Sequence, residues 1–313
     1  MINDPNELIA RLYPVNAGSG GEMVPADGSV TTPKLASDVR NLIDGKAEAF
    51  DALSGGTASS TNTAPGTTYV RDIKWLMLGD SLTDLYNRQQ NYPYWIKYRS
   101  PWLTVANMGI GGSLVCWDRD NSVNGRQVVN IVHQALKTEA TASSPDVITI
   151  FAGVNDYIWG VPLGTMEDIY NLSSYDPTAV VQTASGHAGL PSNKGTFYQA
   201  YSYLIKTIKQ NYGSTPIVAF TPLAGDDASG TKIDHSYGHT IGDFQDAVKA
   251  VCGYWGVPCC DLGRESIITQ RSAADKAVYF LDATHPNGNG SLVLSRIIEA
   301  KVRQTLHMIG KDL

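Results

Sequence analysis

Four short blocks of this sequence carry residue types that together could hydrolyse an ester. Gly79-Asp80-Ser81-Leu82 places a hydroxyl at a break directly after the apolar run Trp75 to Leu78. Asn107-Met108-Gly109-Ile110-Gly111-Gly112 is a glycine-rich turn whose bare backbone N–H groups can approach a ligand closely. Phe151-Ala152-Gly153-Val154-Asn155-Asp156 ends another apolar run with an amide and a carboxylate. Near the other end, Asp282-Ala283-Thr284-His285-Pro286 sets a carboxylate and an imidazole three residues apart, where a helical turn or tight loop holds them side by side.

Acyl transfer through serine takes a nucleophile, a base within hydrogen-bond reach, a group that orients the base, and donors aimed at the oxyanion. Ser81 offers the nucleophile. His285 can take its proton through Nε2 while Asp282 accepts from Nδ1, which fixes the tautomer. The first and last blocks also have plainer readings: Ser81 as the N-cap of a following helix, and Asp282 with His285 as a cap on the last helix. His133 lies inside a helical pattern and His307 near the terminus, which points to structural or exposed roles; His187, His235 and His239 lie in or beside long loops.

These blocks need elements to position them. From Asp72 onward strands are expected at Ile73 to Leu78, Leu103 to Asn107, Val147 to Phe151, Ile217 to Phe220 and Val257 to Asp261. Helical patterns fall between and after them, at Asn121 to Glu139, Thr196 to Gln210, His239 to Tyr254 and Ser291 to His307. Such alternation, with right-handed crossovers, predicts an α/β fold: a three-layer α/β/α sandwich around a five-stranded parallel, flavodoxin-like doubly wound sheet. The long connections Tyr157 to Asn193 and Thr221 to Gly238 come after strands and should overlie the ligand-binding edge of that sheet.

Taken in order, the four blocks resemble the SGNH, or GDSL-type, hydrolases over roughly Asp72 to His307. The resemblance implies Ser81 as nucleophile and backbone oxyanion donor, Gly112 as second backbone donor with Gly111 as the neighbouring alternative, and Asn155 as side-chain donor. It likewise implies His285 as base and Asp282 as the third member of the triad. Gly111-Gly112-Ser113 stands where many relatives have Ser-Gly-Asp. Asp80 and Asp156 read as residues that hold the loops through backbone hydrogen bonds. The reaction needs no metal or cofactor.

Composition and the loops bear on substrate and partners. A formal net charge of -6 without a basic patch argues against a nucleic-acid partner and favours a small-molecule or glycan ester. Trp117 after the glycine-rich loop, and Tyr157 and Trp159 after Asn155, are candidate substrate contacts, since aromatic rings near a polar crevice suit sugar faces. No long apolar loop awaits an acyl chain, so release of a short acyl group, acetate above all, from a glycan is the expectation. A short-chain lipase, arylesterase or thioesterase is the alternative, or a non-catalytic glycan-binding adhesin head. Cys116, Cys252, Cys259 and Cys260 lie in apolar surroundings without paired spacing and read as buried thiols.

Residues 1–70 differ in character from the hydrolase-like segment 71–313. Two short helices, at Glu7 to Leu12 and between Thr32 and Gly45, precede a Ser/Thr/Gly-rich linker from Ser54 to Thr68. Asp27 to Leu35 resembles short elements of phage tail-fibre and related adhesin proteins, implying attachment or a homo-oligomer through this segment. No run is long and apolar enough to span a membrane and no secretory signal pattern opens the chain, so a cytoplasmic or virion-associated protein is expected.

Overall fold

The computed structural model describes residues 73–85, 90–183, 193–223, 238–268, 270 and 272–311. The expected N-terminal helices, the linker, His187 and His235 lie outside the described residues, as do most of the second long connection and residues 184–192 of the first.

Five parallel strands form the central sheet: β1 Lys74–Gly79, β2 Thr104–Asn107, β3 Val147–Phe151, β4 Ile217–Phe220 and β5 Cys259–Cys260. Their spatial order is β2-β1-β3-β4-β5, the flavodoxin-like order expected for a doubly wound sheet. β3, Val-Ile-Thr-Ile-Phe, is buried along its whole length, as a central parallel strand covered on both faces must be. The polar hydroxyl this buries is satisfied across the sheet, where Trp75 Nε1 donates to Thr149 Oγ1 at 2.8 Å.

Nine α-helices lie among the described residues: α1 Tyr92–Arg99, α2 Ile131–Leu136, α3 Thr138–Ala142, α4 Val154–Ile158, α5 Phe197–Tyr212, α6 Ile241–Trp255, α7 Leu262–Glu265, α8 Ala273–Tyr279 and α9 Gly288–Met308. The pleat sorts the sheet side chains into two cores. Leu76, Leu78, Ile148, Ile150 and Ala219 pack with Ile131 and Ala135 of α2, Leu204 and Ile208 of α5, and Val248 and Val251 of α6. Trp75, Met77, Val147, Phe151 and Phe220 pack on the other face with Ile96 of α1 and Leu294, Ile298 and Val302 of α9. This is the α/β/α sandwich.

The long helices start where their caps dictate. Thr196 and Gln199 close a capping box on α5, Thr240 and Asp243 close one on α6, and Gly256 ends α6 in the left-handed region at φ 64°. The expected helix over 121–139 is not continuous. Asn124 and Gly125, at φ 51° and 73°, turn a two-stranded ribbon between Ser122–Val123 and Arg126–Gln127. Asn-Gly is the preferred pair for such a turn, and that local chemistry prevails over the apolar spacing. α2 begins only after Asn130, whose side chain accepts from His133 N–H, and extended backbone at Lys137 separates it from α3. β5 is shorter than the expected Val257 to Asp261, and α1, α4, α7 and α8 have no counterpart among the helices expected from sequence.

Candidate active site

The sheet register brings three of the four blocks to one edge. Gly79, the last residue of β1, sits beside Phe151, the last residue of β3, and Met77 sits beside Asn107 at the end of β2. The polypeptide leaves all three strands in the same direction, so Ser81, Gly112 and Asn155 emerge from neighbouring carboxyl ends.

Beyond β1 the chain turns tightly, with Thr83 and Asp84 N–H both donating to Asp80 C=O at 3.0 Å. Asp80 performs the cap-like function of this turn: its Oδ1 accepts from Leu82 N–H at 2.9 Å. Ser81 caps nothing. Its Oγ lies 2.8 Å from His285 Nε2, and its carbonyl accepts from Asn91 Nδ2 at 2.8 Å.

The histidine is presented by a loop closed at both ends. Leu281 N–H donates to His285 C=O at 2.8 Å, and Asn287 N–H to Tyr279 C=O at 2.8 Å. Within it Asp282 Oδ1 accepts from Thr284 N–H at 2.8 Å and His285 N–H at 2.7 Å, and both its carboxylate oxygens lie 2.9 Å from His285 Nδ1. Partial burial works to raise the Asp282 pKa, but those backbone donors and His285 outweigh it and hold the carboxyl below its ordinary value. Neither residue caps α9, because Asn287 accepts from Asn289 and Gly290 N–H instead. Ser81, His285 and Asp282 therefore form a continuous hydrogen-bonded line across 204 positions of sequence.

Gly112 and Asn155 belong to a second assembly against the first. Asn155 Nδ2 donates to Ser113 C=O at 3.0 Å, a contact that fixes the amide's orientation and leaves its other N–H to point elsewhere. Gly111 N–H is spent on Asp84 Oδ2 at 2.8 Å, whereas Ser81 and Gly112 N–H have no acceptor among the described residues. Between the neighbouring glycines, Gly112 is therefore the one with a donor to offer. Its φ of +81° lies where a side chain is strained. A Cβ there would also collide with Arg119 Nη1.

Several residues that the sequence does not single out lock these turns together. Gln134, fully buried on α2, accepts from Gly79 N–H at 3.1 Å and donates to Gly79 C=O and Ser113 Oγ, both at 2.9 Å. Arg126 pairs with Asp84 at 3.1 Å and donates to Gly109 C=O at 2.9 Å. Asp156 acts as its position implied: its carboxylate accepts from Val115 and Cys116 N–H at 2.8 and 3.1 Å. Burial raises its pKa to about 6 against those donors. Burial likewise raises Asp80 to about 7, and its Oδ2 has no partner among the described residues.

The aromatic candidates divide. Trp117 is fully buried in the core, so its ring is turned inward rather than toward a ligand, a correction to its reading as a substrate contact. Tyr157 is half-buried with its edge on Phe244, 5.9 Å between centroids, and Trp159 is half-buried beneath the Arg119 guanidinium, 4.4 Å from its ring centroid. Of the other histidines, His133 is held by Asp118 at 2.9 Å and His307 lies in the last turn of α9. Cys116, Cys252 and Cys260 are buried free thiols, and Cys259 is half-buried. Among the described residues no cluster of three or more His, Cys, Asp or Glu side chains could hold a metal ion, and no helix is long and apolar enough to cross a membrane.

The same architecture is found in solved structures. A protein from Lactobacillus plantarum is 22% identical with a TM-score of 0.55, the match covering 77% of this chain and 99% of that one. A "possible lipase" from Chitinophaga pinensis DSM 2588 is 17% identical with a TM-score of 0.52, covering 76% of this chain and 99% of that one. At such identities the likeness is one of fold. No curated protein matches the sequence significantly. The model of one family does match, across residues 77–292 and hence through the Ser81 turn, the Gly112 turn, Asn155 and the Asp282 to His285 loop, and the chain belongs to it: the GDSL-like lipase/acylhydrolase family.

Proposed function

We propose that this ester hydrolase works through a serine acyl-enzyme and removes short acyl groups, acetate first among them, from a glycan. The observation that carries the mechanism is the unbroken contact from Ser81 Oγ to His285 Nε2 and from His285 Nδ1 to Asp282. His285 takes the Ser81 proton as Oγ attacks the ester carbonyl, and the developing oxyanion receives the N–H groups of Ser81, Gly112 and Asn155. His285, now protonated, gives its proton to the leaving alcohol oxygen as the C–O bond breaks. Water activated by His285 then attacks the acyl-serine, releasing the acid and restoring the Ser81 hydroxyl. Asp282 accepts from Nδ1–H throughout and stabilises the imidazolium.

The glycan assignment rests on Tyr157 and Trp159 lying just beyond Asn155, and the short acyl group on the lack of a long apolar loop in the sequence. A p-nitrophenyl ester series from acetate to octanoate, with Ser81→Ala as control, followed by acetate release from acetylated polysaccharides, tests both. Fastest turnover on acetate, abolished in Ser81→Ala, is expected. A maximum at octanoate would replace the reading with that of a lipase, and activity surviving in Ser81→Ala would remove Ser81 as nucleophile. Residues 1–70 are assigned to attachment or self-association ahead of the hydrolase domain at 71–313. Light scattering on the full chain is expected to give an oligomer if the segment self-associates, and a monomer would overturn self-association and leave attachment.

A further inference from the structure

We propose that Arg119 is a binding point for an anionic group on the substrate, the carboxylate of an acidic sugar. The inference deepens the ester-hydrolase reading and rests on it for the location of the substrate. Arg119 closes the two-residue strand Asp118–Arg119, which pairs with Val180–Val181. Its Nη1 donates to Gly112 C=O at 3.1 Å, and its Cζ lies 4.4 Å from the centroid of the Trp159 ring. Trp159 is itself tied to Asn155, whose carbonyl accepts its N–H at 2.8 Å. The guanidinium thus bridges the two segments that carry the proposed oxyanion donors.

This half-buried cation has no ion-pair partner among the described residues. Both sequence neighbours are acidic, yet side chains alternate along a strand, and each neighbour is engaged elsewhere. Asp118 accepts from Asn130 N–H at 2.7 Å and lies 2.9 Å from His133 Nδ1. Asp120 accepts from the Thr183 N–H at 2.7 Å and from its hydroxyl, and acts on Arg119 only through space. Burial pushes the Arg119 guanidinium below its ordinary pKa, but an arginine stays charged in any protein setting. Its Nε is buried without a hydrogen-bond partner among the described residues, and none of them accepts from Nη2.

A half-buried charge with unspent donors and no paired counter-ion is costly unless a ligand supplies the opposite charge. A guanidinium edge matches a carboxylate, and the adjoining indole suits a sugar ring. A carboxyl-bearing sugar meets both requirements at once. Glycan esters on uronic or sialic acid units are therefore the substrate class this position selects.

The test uses glucuronate, galacturonate and N-acetylneuraminate, with neutral glucose and galactose, as competitors of p-nitrophenyl acetate hydrolysis at constant ionic strength. At least one acidic sugar is expected to compete ten-fold or more tightly than its neutral counterparts, and Arg119→Gln to erase that ratio whatever its basal rate. Equal competition by acidic and neutral sugars in the unaltered protein overturns the proposal without any variant. A ratio preserved in Arg119→Gln overturns it as well, since Arg119 would then only steady the Gly112 turn. Should Arg119→Gln fail to fold, Trp159→Leu, which removes the supporting ring, is expected to shrink the same ratio, and an unchanged ratio counts against the proposal. If the protein hydrolyses no ester, the ester-hydrolase reading fails by itself. Calorimetric titration of the same sugars into the protein and into Arg119→Gln then decides on Arg119 alone.

Discussion

Gln134 grips both backbone groups of Gly79, accepting from its N–H at 3.1 Å and donating to its C=O at 2.9 Å. The same Nε2 reaches Ser113 Oγ at 2.9 Å, so one buried amide fixes the strand end before Ser81 against the turn that carries Gly112. Gln134→Leu keeps much of the volume but leaves Gly79 N–H buried without an acceptor, a loss of about 1–3 kcal/mol. Urea denaturation is expected to show that loss, together with a fall in kcat larger than any rise in KM, because the proposed oxyanion donors shift relative to Ser81. An unchanged kcat in a destabilised protein would show that Gln134 serves folding only.

Asn155→Ala removes the only side-chain donor proposed for the oxyanion. The Ser113 contact it also forfeits accounts for about 1 kcal/mol of stability, while one oxyanion donor typically contributes about a hundred- to thousand-fold in rate. A folded protein with kcat reduced by about that factor is the expected outcome, checked by thermal melting beside steady-state kinetics. A variant within a few-fold of the parent would mean that Ser81 and Gly112 suffice.

Much of this site is legible in the sequence because its parts come directly after strands. Apolar runs such as Trp75 to Leu78 and Val147 to Phe151 announce buried strands, and the turn after each lies at the ligand edge by topology alone. The Asp282 to His285 spacing announces its own local contact. The supports are not legible: Gln134 occupies a helix position where nothing in the sequence distinguishes an exposed glutamine from one buried against a strand end. Asn91 precedes α1 as an N-cap would, yet its amide donates to the carbonyls of Ser81 and Asp84 instead. Trp117 misleads for the converse reason. An aromatic after a glycine-rich loop reads the same whether it faces a ligand or the core, and only the three-dimensional packing of α2 and α5 decides. The Asn124-Gly125 turn is readable from its residues but is hidden by apolar spacing over a longer window.

Asp282 is the most exposed member of the line through Ser81, with 48% of its side-chain surface accessible. Asp282→Asn keeps an oxygen for the Thr284 and His285 N–H groups but can present its amide nitrogen to Nδ1, favouring the tautomer that cannot accept the Ser81 proton. Solvent screens the electrostatic share of the effect, so the loss should lie at the lower end of what such residues contribute, about a hundred- to a thousand-fold in kcat. Single-turnover kinetics on p-nitrophenyl acetate measures it. A loss below about three-fold would leave water or the backbone as the orienting group.

Asp80 gives a prediction about stability instead of rate. Its carboxyl is fully buried, and burial raises it from the ordinary 3.8 to about 7, with the Leu82 N–H opposing and the charges of Asp156 and Asp84 adding to the rise. Below about pH 4 the group is protonated folded or unfolded and does not affect the balance. Between about pH 4 and 7 the unfolded chain has released the proton that the folded chain still holds, so stability falls as pH rises. Above about pH 7 both states are ionised and the loss is complete, amounting to a few kcal/mol. Asp80→Asn resembles the protonated acid, retains an acceptor for Leu82 N–H and has nothing to ionise. Its stability relative to the parent should therefore climb from about pH 4.5 to 8, as followed by urea denaturation at several pH values. A constant difference across that range would mean that Asp80 ionises as readily in the folded protein as in the unfolded one.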